Sequence, residues 1–413
     1  MSTNIVKKIS IIITIILLLS SMVVFISCDK KETTFEAKLS KEIQANLYIR
    51  GGDDQFDSIL YVVKEFNKIY KNVNIVYRKT YNYEELALEQ LLSNNREIDL
   101  FFINENMYDN KTIVTENTEN LDEIISLVGL NKNIKEKRNG HDEIYGVPMA
   151  FNVKGIVVNT DLLKKYNCSI PTNISELKNV CNILVENNIT PIQGVDGELY
   201  SNLFGTQYLY ELYNNKYSYS VSEVNSEKEG YKSTFDNILN LEKEFINLGY
   251  TSKDKMYDSL DEAKEAFMKG EIPFLVVDTE TYSQLIEGER HYWIDANNDY
   301  DTSKSFAYEF IPLPTDEKTS VSYLETWYYL AVNKNSENLE VANEFIRFLS
   351  SAESLDLLAE KMGVPTVSSH VNSDYKFNSL FNSSLLYESN ILLNTNIKNA
   401  QVEYLETYVK SWI

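Results

Sequence analysis

The sequence predicts an α/β protein with a largely parallel sheet, and three observations support that prediction. Strand-like and helix-like patterns alternate between residues 44 and 103. Residues 99–103 form an almost wholly apolar run, which is typical of a strand buried on both faces. The chain has 413 residues, which is long enough for two domains.

The alternation is clearest in the first part of the chain. The predicted helix at 56–70 has its apolar residues on one stripe, which comprises Ile59, Leu60, Val63, Phe66 and Ile69. The strand and helix patterns there occupy residues 44–49, 56–70, 73–77, 83–93 and 99–103. Ligands of parallel sheets bind beyond the carboxyl ends of the strands, so the loops at 51–54 and 104–106 are candidate binding loops.

The middle of the chain has an unusual order of elements. Residues 145–148 predict a short strand that ends in proline, and residues 153–158 predict a second, β-branched strand. The segment Asn159-Thr160-Asp161 then predicts the cap of a short helix at 162–166. Ser175 and Glu176 predict the cap and first turn of the next helix.

Beyond Asn159 the pattern is mainly helical. Helices are predicted at residues 175–187, 200–213, 234–248, 259–268, 338–350 and 352–361, with short helices in the tail from 375. Strands are predicted at residues 274–277, 306–311 and 330–332. No sequence repeat is evident.

The composition argues against nucleic acid and anionic lipid as partners. The net charge is −22, from 39 basic and 61 acidic residues, and such a surface repels polyanions. The 29 tyrosines suit both a core and a polar ligand surface.

Residues 1–27 have the features of a secretory signal peptide. Lys7 and Lys8 precede an apolar run that ends just before Cys28. The end of this run resembles a bacterial lipobox, in which the cysteine is lipidated, although Phe25 stands where leucine is usual. Residues 28–43 would then be a lipid-anchored tether, placing the rest of the chain on the outer face of the cytoplasmic membrane. An uncleaved membrane helix is the alternative, because the run is long enough to span.

The sequence does not decide whether two further cysteines, Cys168 and Cys181, form a disulfide. An exported pair could form a disulfide, and two buried free thiols are an equal alternative. Their spacing predicts no metal site.

Several motifs resemble, in order, those of family 1 extracellular solute-binding proteins. They are Phe66-Asn67-x-x-Tyr70-x-Asn72-Val73 with Ile98-Asp99-Leu100-Phe101-Phe102, Tyr145-Gly146-Val147-Pro148 with Val158-Asn159-Thr160-Asp161-Leu162-Leu163, Ala263-x-x-Ala266-Phe267-x-x-Gly270-Glu271-x-x-Phe274, Ile311-Pro312-Leu313-Pro314, Leu330-Ala331-Val332-Asn333 and Ala342-Asn343-Glu344-Phe345-Ile346-x-Phe348-Leu349. Each motif alone is weakly specific. Together they cover nearly all of residues 44–365.

The resemblance implies a two-lobed periplasmic-binding-protein-like fold with hinge strands and an interlobe cleft. Lobe 1 would comprise residues 44–150 and 283–328, and lobe 2 residues 151–282 and 329–413. The resemblance further implies a monomer without a cofactor that delivers a ligand, most commonly a sugar or oligosaccharide, to the permease of an ABC importer.

The resemblance also implies cleft positions in the first lobe and the hinge. Asp53 or Asp54 would accept hydrogen bonds from ligand hydroxyls, although an ordinary Gly-Asp turn is the alternative. Asn104 and Asn106 would lie in a second ligand loop. Phe151 and Asn152 would face the cleft from the hinge, and Asn152 is the preferred candidate because a polar side chain among apolar strands needs a partner.

Aromatic and acidic candidates complete the predicted site. After strand 274–277 the family often has Gly-Pro-Trp, whereas this chain has Asp-Thr-Glu-Thr-Tyr at 278–282, which is expected to be a loop. Carboxylates such as Glu280 would then favour ligand hydroxyls or a cation, and Tyr282 would replace the tryptophan as a stacking platform. Trp327, or Tyr328 beside it, and Tyr200 are further stacking candidates, with core packing as the alternative.

The sequence also indicates whether an enzyme or another kind of binding protein could account for these features. The three histidines are far apart in sequence, no nucleophile or nucleotide motif is present, and an enzyme is not expected. Acid pairs such as Asp278 and Glu280 have little specificity as glycosidase carboxylates. Two alternatives remain: a binding protein for a cation such as a polyamine or metal, and a sensor lipoprotein without a transporter.

Overall fold

The structure is a computed structural model. It describes residues 35–52, 56–80, 92, 98–104, 107–108, 111–125, 130, 143–195, 198–215, 229–292, 305–315, 320–326, 328–368, 377 and 385–388. Residues 37–413 form one compact unit, and residues 1–36 form a separate one. Among the residues described, the strands form two mixed sheets, which confirms the predicted α/β class.

The first sheet is built mainly from the start of the chain. Its strands are β1 (Ala45–Gly51), β2 (Val73–Lys79), β3 (Leu100–Ile103), β4 (Val147–Pro148) and β12 (Tyr329–Val332). Within the described residues their order is β2-β1-β3-β12-β4. β1 is parallel to β2 and β3, whereas β12 runs antiparallel between β3 and β4.

Helices cover the first sheet with aromatic contacts. α1 (Phe56–Ile69) contacts α10 (Leu339–Leu349) and α11 (Ala352–Met362). The Phe66 ring lies 5.1 Å from Phe345 and 5.5 Å from Phe348, and all three side chains are buried. Ile59, Val63 and Phe66 of the predicted stripe are therefore buried, as expected, whereas Leu60 is 38% exposed and Ile69 is only partly buried. The short helix α2 (Lys111–Asn117) leads to a β-bridge between Thr118 and Asn333.

The second sheet is organised around β5 (Phe151–Asn159). The other strands are β6 (Ile192–Val195), β7 (Met256–Tyr257), β8 (Phe274–Asp278), β9 (Tyr308–Ile311), β10 (Leu313–Pro314), β11 (Ser320–Thr326) and β13 (Leu385–Glu388). β8 pairs with one edge of β5. On the other edge, β11 pairs with the first residues of β5 and β9 with the last. All three pairings are antiparallel. β6 is parallel to β8, so both end at the edge where β5 begins.

The helices of the second sheet pack into one apolar core. They are α3 (Thr160–Lys165), α4 (Ile174–Glu186), α5 (Glu198–Tyr200), a π-helical segment (Ser201–Gly205), α6 (Thr206–Asn214), α7 (Glu229–Asn247), α8 (Leu260–Met268) and α9 (Thr279–Tyr292). Buried side chains from α4, α6 and α7 join β5, β6 and β8 in a single cluster.

Helix caps agree with the sequence in one case and differ in another. The Asn159 carboxamide accepts a hydrogen bond from the Leu162 amide at 2.8 Å, which confirms the predicted cap of α3. The cap of α4 lies two residues earlier than expected, because Asn173 and not Ser175 is the cap. Asn173 Oδ1 accepts from the Glu176 amide at 2.9 Å, while the Glu176 carboxylate accepts from the Thr172 amide at 2.8 Å.

Two segments connect the sheets and run side by side. The first leads from β4 to β5, and the second leads from β11 to β12. Thr326 pairs with Phe151, the Met149 amide donates to the Tyr328 carbonyl at 2.9 Å, and Tyr329 pairs with Pro148. These crossings are the hinge strands that the resemblance implied.

Strand pairing differs from the predicted lobe ranges. Residues 283–328 were expected with the first lobe, but β9, β10 and β11 lie in the second sheet. Residues 329–413 were expected with the second lobe, but β12 lies in the first sheet, and α10 and α11 contact α1. The physical reason is that a four-residue apolar strand fits either sheet, and only its hydrogen-bonded neighbours decide between them.

The N-terminal predictions fall largely outside the described residues, including Cys28 and the signal peptide at 1–27. Within the predicted tether at 28–43, the Lys38 amide donates to the Glu344 carboxylate at 2.8 Å. In the part of the chain that the structure covers, no helix is both long and apolar enough to cross a membrane.

Candidate functional site

The carboxyl end of β1 is packed closely by two aromatic rings. Gly51 and Gly52 are buried there, and the Tyr77 hydroxyl donates to the Gly52 carbonyl at 2.8 Å. A methyl group at Gly51 would collide with the Tyr77 hydroxyl and come within 2.7 Å of Phe102. Glycine at this position therefore allows the Tyr77 ring to lie over the end of the sheet.

Asn104 follows β3 at the same edge and is half-exposed. Its side-chain oxygen accepts from the Met107 amide at 3.0 Å, and its carbonyl accepts from the Tyr108 amide at 3.0 Å. The Phe102 ring lies 6.3 Å from Tyr77 and 6.5 Å from Tyr328. An amide and aromatic side chains thus lie at or next to the carboxyl edge of the first sheet.

Asn152 stands on β5 immediately after the first crossing and is 7% exposed. Its Nδ2 donates to Asp278 Oδ2 at 2.9 Å, and its Oδ1 accepts from the Thr279 hydroxyl at 3.0 Å. The partners of this buried amide are protein groups. Its direct contact with a ligand stays a prediction.

Asp278 ends β8 and caps α9. Oδ1 accepts from the Thr281 amide at 2.9 Å and from its hydroxyl at 2.7 Å. Oδ2 accepts from Asn152 and from Lys154 Nζ, the latter at 3.3 Å. Burial favours the neutral acid, but the Lys154 charge and the hydrogen bonds from Thr281 and Asn152 outweigh it and hold the pKa of Asp278 below its ordinary value.

Residues 278–282 were expected to be a loop, and the structure instead places 279–282 in the first turn of α9. The prediction of a loop is wrong, and the sequence itself contains the helix signal. Asp278 supplies an N-cap, and Tyr282, Leu285 and Ile286 follow at helical spacing.

Glu280 and Tyr282 lie on that first turn. The Glu280 carboxylate accepts from Gln284 Nε2 at 3.2 Å and is partly exposed. The Tyr282 ring lies 5.7 Å from Phe310 and 6.0 Å from Phe377, within an aromatic cluster of the second sheet. Burial and the nearby Glu309 charge raise the pKa of Tyr282. Tyr282 thus packs in this aromatic cluster, and its contact with a ligand stays a prediction.

The remaining predicted residues fall outside what the structure describes. For Tyr200 only the backbone is described, and it ends α5 just before the π-helical segment. The others are Asp53, Asp54, Asn106, Trp327 and Cys28. Their proposed roles stay predictions.

Sequence reasoning missed Lys154, Thr279 and Thr281. The one available signal was Lys154 itself, a charged residue within an otherwise apolar strand. It also missed the π-helical segment Ser201–Gly205, which follows the carboxyl end of β6, although such segments often occur at functional sites. Buried Asn202 and Gln207 lie in and just after it.

The amide and carboxylate groups described above can form hydrogen bonds with a polar ligand. Within the described ranges, no group of histidine, cysteine, aspartate or glutamate side chains is arranged to hold a metal ion. Cys168 and Cys181 are both free and buried. Burial raises the pKa of both thiols, which disfavours nucleophilic thiolate chemistry.

The protein has two mixed sheets with helices packed on them, and paired crossing strands join the sheets. Polar groups lie at the strand ends. This arrangement defines a two-lobed solute-binding fold. The family model described as bacterial extracellular solute-binding protein matches residues 52–355. The chain therefore belongs to this family, a family of binding proteins. No curated protein sequence matches it.

Solved structures share the fold at low identity. The binding protein MsmE of Bacillus subtilis, in an open conformation, is 18% identical with a TM-score of 0.62, over 87% of this chain and 91% of that one. The GacH receptor of Streptomyces glaucescens, solved unliganded and with acarbose, is 16% identical with a TM-score of 0.63, over 89% and 94%. A Bacillus licheniformis sugar transporter in complex with stachyose is 16% identical with a TM-score of 0.57, over 88% and 95%.

Proposed function

We propose that this protein is the substrate-binding lipoprotein of an ABC importer and that it binds a sugar or oligosaccharide between its two lobes. The observation that carries the proposal is the position of the polar groups. Asn104 follows a strand of the first sheet, and Glu280 follows a strand of the second sheet beside the hinge. Hinge closure would bring such groups onto one ligand.

The chemistry of these groups fits a carbohydrate. Amides and carboxylates form hydrogen bonds with hydroxyls, while aromatic faces pack on the C–H faces of a sugar ring. Asn104, Glu280 and the predicted residues Asp53, Asp54, Asn106 and Trp327 would supply these contacts. The sugars bound by the GacH receptor and the Bacillus licheniformis protein support this class of ligand.

Strand pairing also suggests revised lobe ranges. The first lobe would contain residues 44–148 and 329–368, and the second would contain residues 151–326 together with residue 377 and β13. Phe377 supports this division through its contact with Phe310, as does the pairing of β13 with β11.

A thermal-shift screen tests the ligand class. Stachyose, raffinose, maltose and spermidine are each added to the purified protein. A ligand at a hundredfold excess over Kd stabilises by about 2.7 kcal/mol, which gives a measurable increase in Tm. A shift with spermidine and with none of the sugars would refute the carbohydrate proposal and favour a cation-binding protein. Turnover of any glycan would point to an enzyme.

Two variants test the proposed contacts. Glu280→Gln and Asn104→Ala are each expected to weaken sugar binding about tenfold, because each removes a hydrogen-bonding group. Glu262→Gln is the matched control, since Glu262 is an exposed acid on the first turn of α8. If Glu280→Gln and Asn104→Ala bind sugar with the same affinity as Glu262→Gln and the wild type, the proposed site is wrong.

The lipid anchor is tested separately at Cys28. Cells expressing the protein are grown with labelled palmitate, and Cys28→Ala is expected to abolish incorporation of the label. Incorporation into that variant would mean that the anchor is elsewhere.

A further inference from the structure

The first turn of α9 is held at the junction between the two sheets. On one side, the Asn152 side chain binds Asp278 and Thr279. On the other side, Ser283, the residue that follows this turn, donates a hydrogen bond from its hydroxyl to the Gly363 carbonyl. Gly363 is the C-cap of α11, which contacts α1 of the first sheet.

The same junction includes the hinge strand itself. The Phe151 amide, one residue before Asn152, donates to the Pro365 carbonyl at 3.0 Å. The Val153 amide, one residue after it, donates to the Thr279 hydroxyl oxygen at 3.1 Å. Three consecutive residues of β5 therefore contact either α9 or the segment after α11.

The polar network at this junction is internally satisfied. The Asp278 carboxylate accepts four hydrogen bonds, one of them from Lys154, whose charge balances its own. Thr279 is fully buried, and its hydroxyl both accepts from Val153 and donates to Asn152. A network with every partner in place rigidifies the groups it joins.

We propose that Asn152 and Asp278 are positioning residues, which fix the first turn of α9 to the hinge strand and so couple hinge angle to ligand binding. The inference rests on the proposed function, because Glu280 lies on the same turn. In this account Asn152 affects affinity without touching the ligand. Losing the network would change the distribution of lobe orientations, and a ligand that selects one orientation would bind more weakly.

The test compares two buried asparagines. Asn152→Ala removes an amide with two protein partners at the hinge. Asn333→Ala is the matched control, because that amide is 6% exposed, donates to the Ile98 carbonyl at 2.8 Å and accepts from the Asn335 amide at 3.0 Å within the first-sheet region. Small-angle X-ray scattering of each protein reports lobe orientation, and calorimetry with stachyose reports affinity.

We expect both variants to lower Tm, and only Asn152→Ala to change the scattering of the ligand-free protein and to weaken stachyose binding about tenfold. Asp278→Asn should have the same effects if Asn152→Ala does not fold, because it removes the charge and places an amide against Lys154. The double variant N152D/D278N exchanges carboxylate and amide, and it should restore both readouts toward the wild type.

Two outcomes separate this inference from the proposed function. If the wild type binds stachyose and the Asn152 and Asp278 variants keep wild-type scattering and affinity, the network is merely structural and the inference is wrong. If the wild type binds no sugar, the proposed function fails. In that case, the ligand-free scattering of the same variants still decides whether the network sets lobe orientation.

Discussion

Glu242 lies on the buried face of α7 with Ile238 and Phe245, and its exposed fraction is zero. Neither carboxylate oxygen has a hydrogen-bond partner among the residues described. Burial raises the pKa of Glu242 from an ordinary 4.5 to about 7, and the adjacent Lys243 offsets only part of that effect. We expect this carboxyl to make the stability of the protein depend on pH.

The sign follows from proton binding. Between pH 4.5 and 7 the folded protein holds a proton that the unfolded chain has lost, so stability falls as pH rises. One pKa unit corresponds to about 1.4 kcal/mol, so the penalty is about 1 kcal/mol at pH 5 and about 3 kcal/mol at pH 8. Below pH 4.5 both states are protonated, and the contribution disappears.

Glu242→Gln keeps the shape of the side chain and removes its titration. We expect the variant to have a higher free energy of unfolding than the wild type, and this difference should be about 2 kcal/mol larger at pH 8 than at pH 5. Urea unfolding at both pH values measures it. Glu244→Gln on the same helix is the control, because Glu244 is 43% exposed and paired with Lys178 at 2.9 Å. Loss of that surface pair should cost at most about 1 kcal/mol. If Glu242→Gln changes stability equally at the two pH values, Glu242 does not titrate in this window.

Three further predictions concern packing, capping and the thiols. Gly155→Ala should destabilise by about 2 kcal/mol in urea unfolding, because the new methyl would overlap the Phe310 ring on the neighbouring strand; an unchanged midpoint would contradict that packing. Asn173→Ala should cost about 1 kcal/mol through loss of the α4 cap, and Asn173→Asp should retain most of it by the same measurement. Cys168 and Cys181 should resist Ellman's reagent in the folded protein and react in guanidinium chloride, with mass mapping to identify the modified residues; rapid labelling of the folded protein would show that the thiols are accessible.

Much of the local structure was readable from the sequence. The α1 stripe, the Asn159 cap and the strand before Asp278 all follow from side-chain spacing and backbone chemistry that act over a few residues. The ordered motifs identified the family because they record this local chemistry along the whole chain.

Some elements were missed for identifiable reasons. β6 is only four residues long and contains glycine, so its pattern does not differ from that of a loop. α9 was hidden because residues 278–282 were read against the family's usual Gly-Pro-Trp instead of for their own helix signal. The segment Ser201–Gly205 was predicted as part of a helix, but no local pattern marked its π-helical form.

The candidate site shows the same division. The sequence indicated that Asn152 needs a partner, because a lone amide among apolar residues is costly to bury. It could not indicate that the partners are Asp278 and Thr279, which lie far along the chain.

The sequence by itself thus determined the class of fold, the family and most of the helices and strands, since these depend on periodicity and capping within short segments. Only the tertiary structure decided which sheet receives each late strand and where the hinge network lies. Both depend on contacts between segments distant in sequence. β12 joins the first sheet and β11 the second although Trp327 and Tyr328 alone separate them, and hydrogen bonding to β3 and β5 makes that choice.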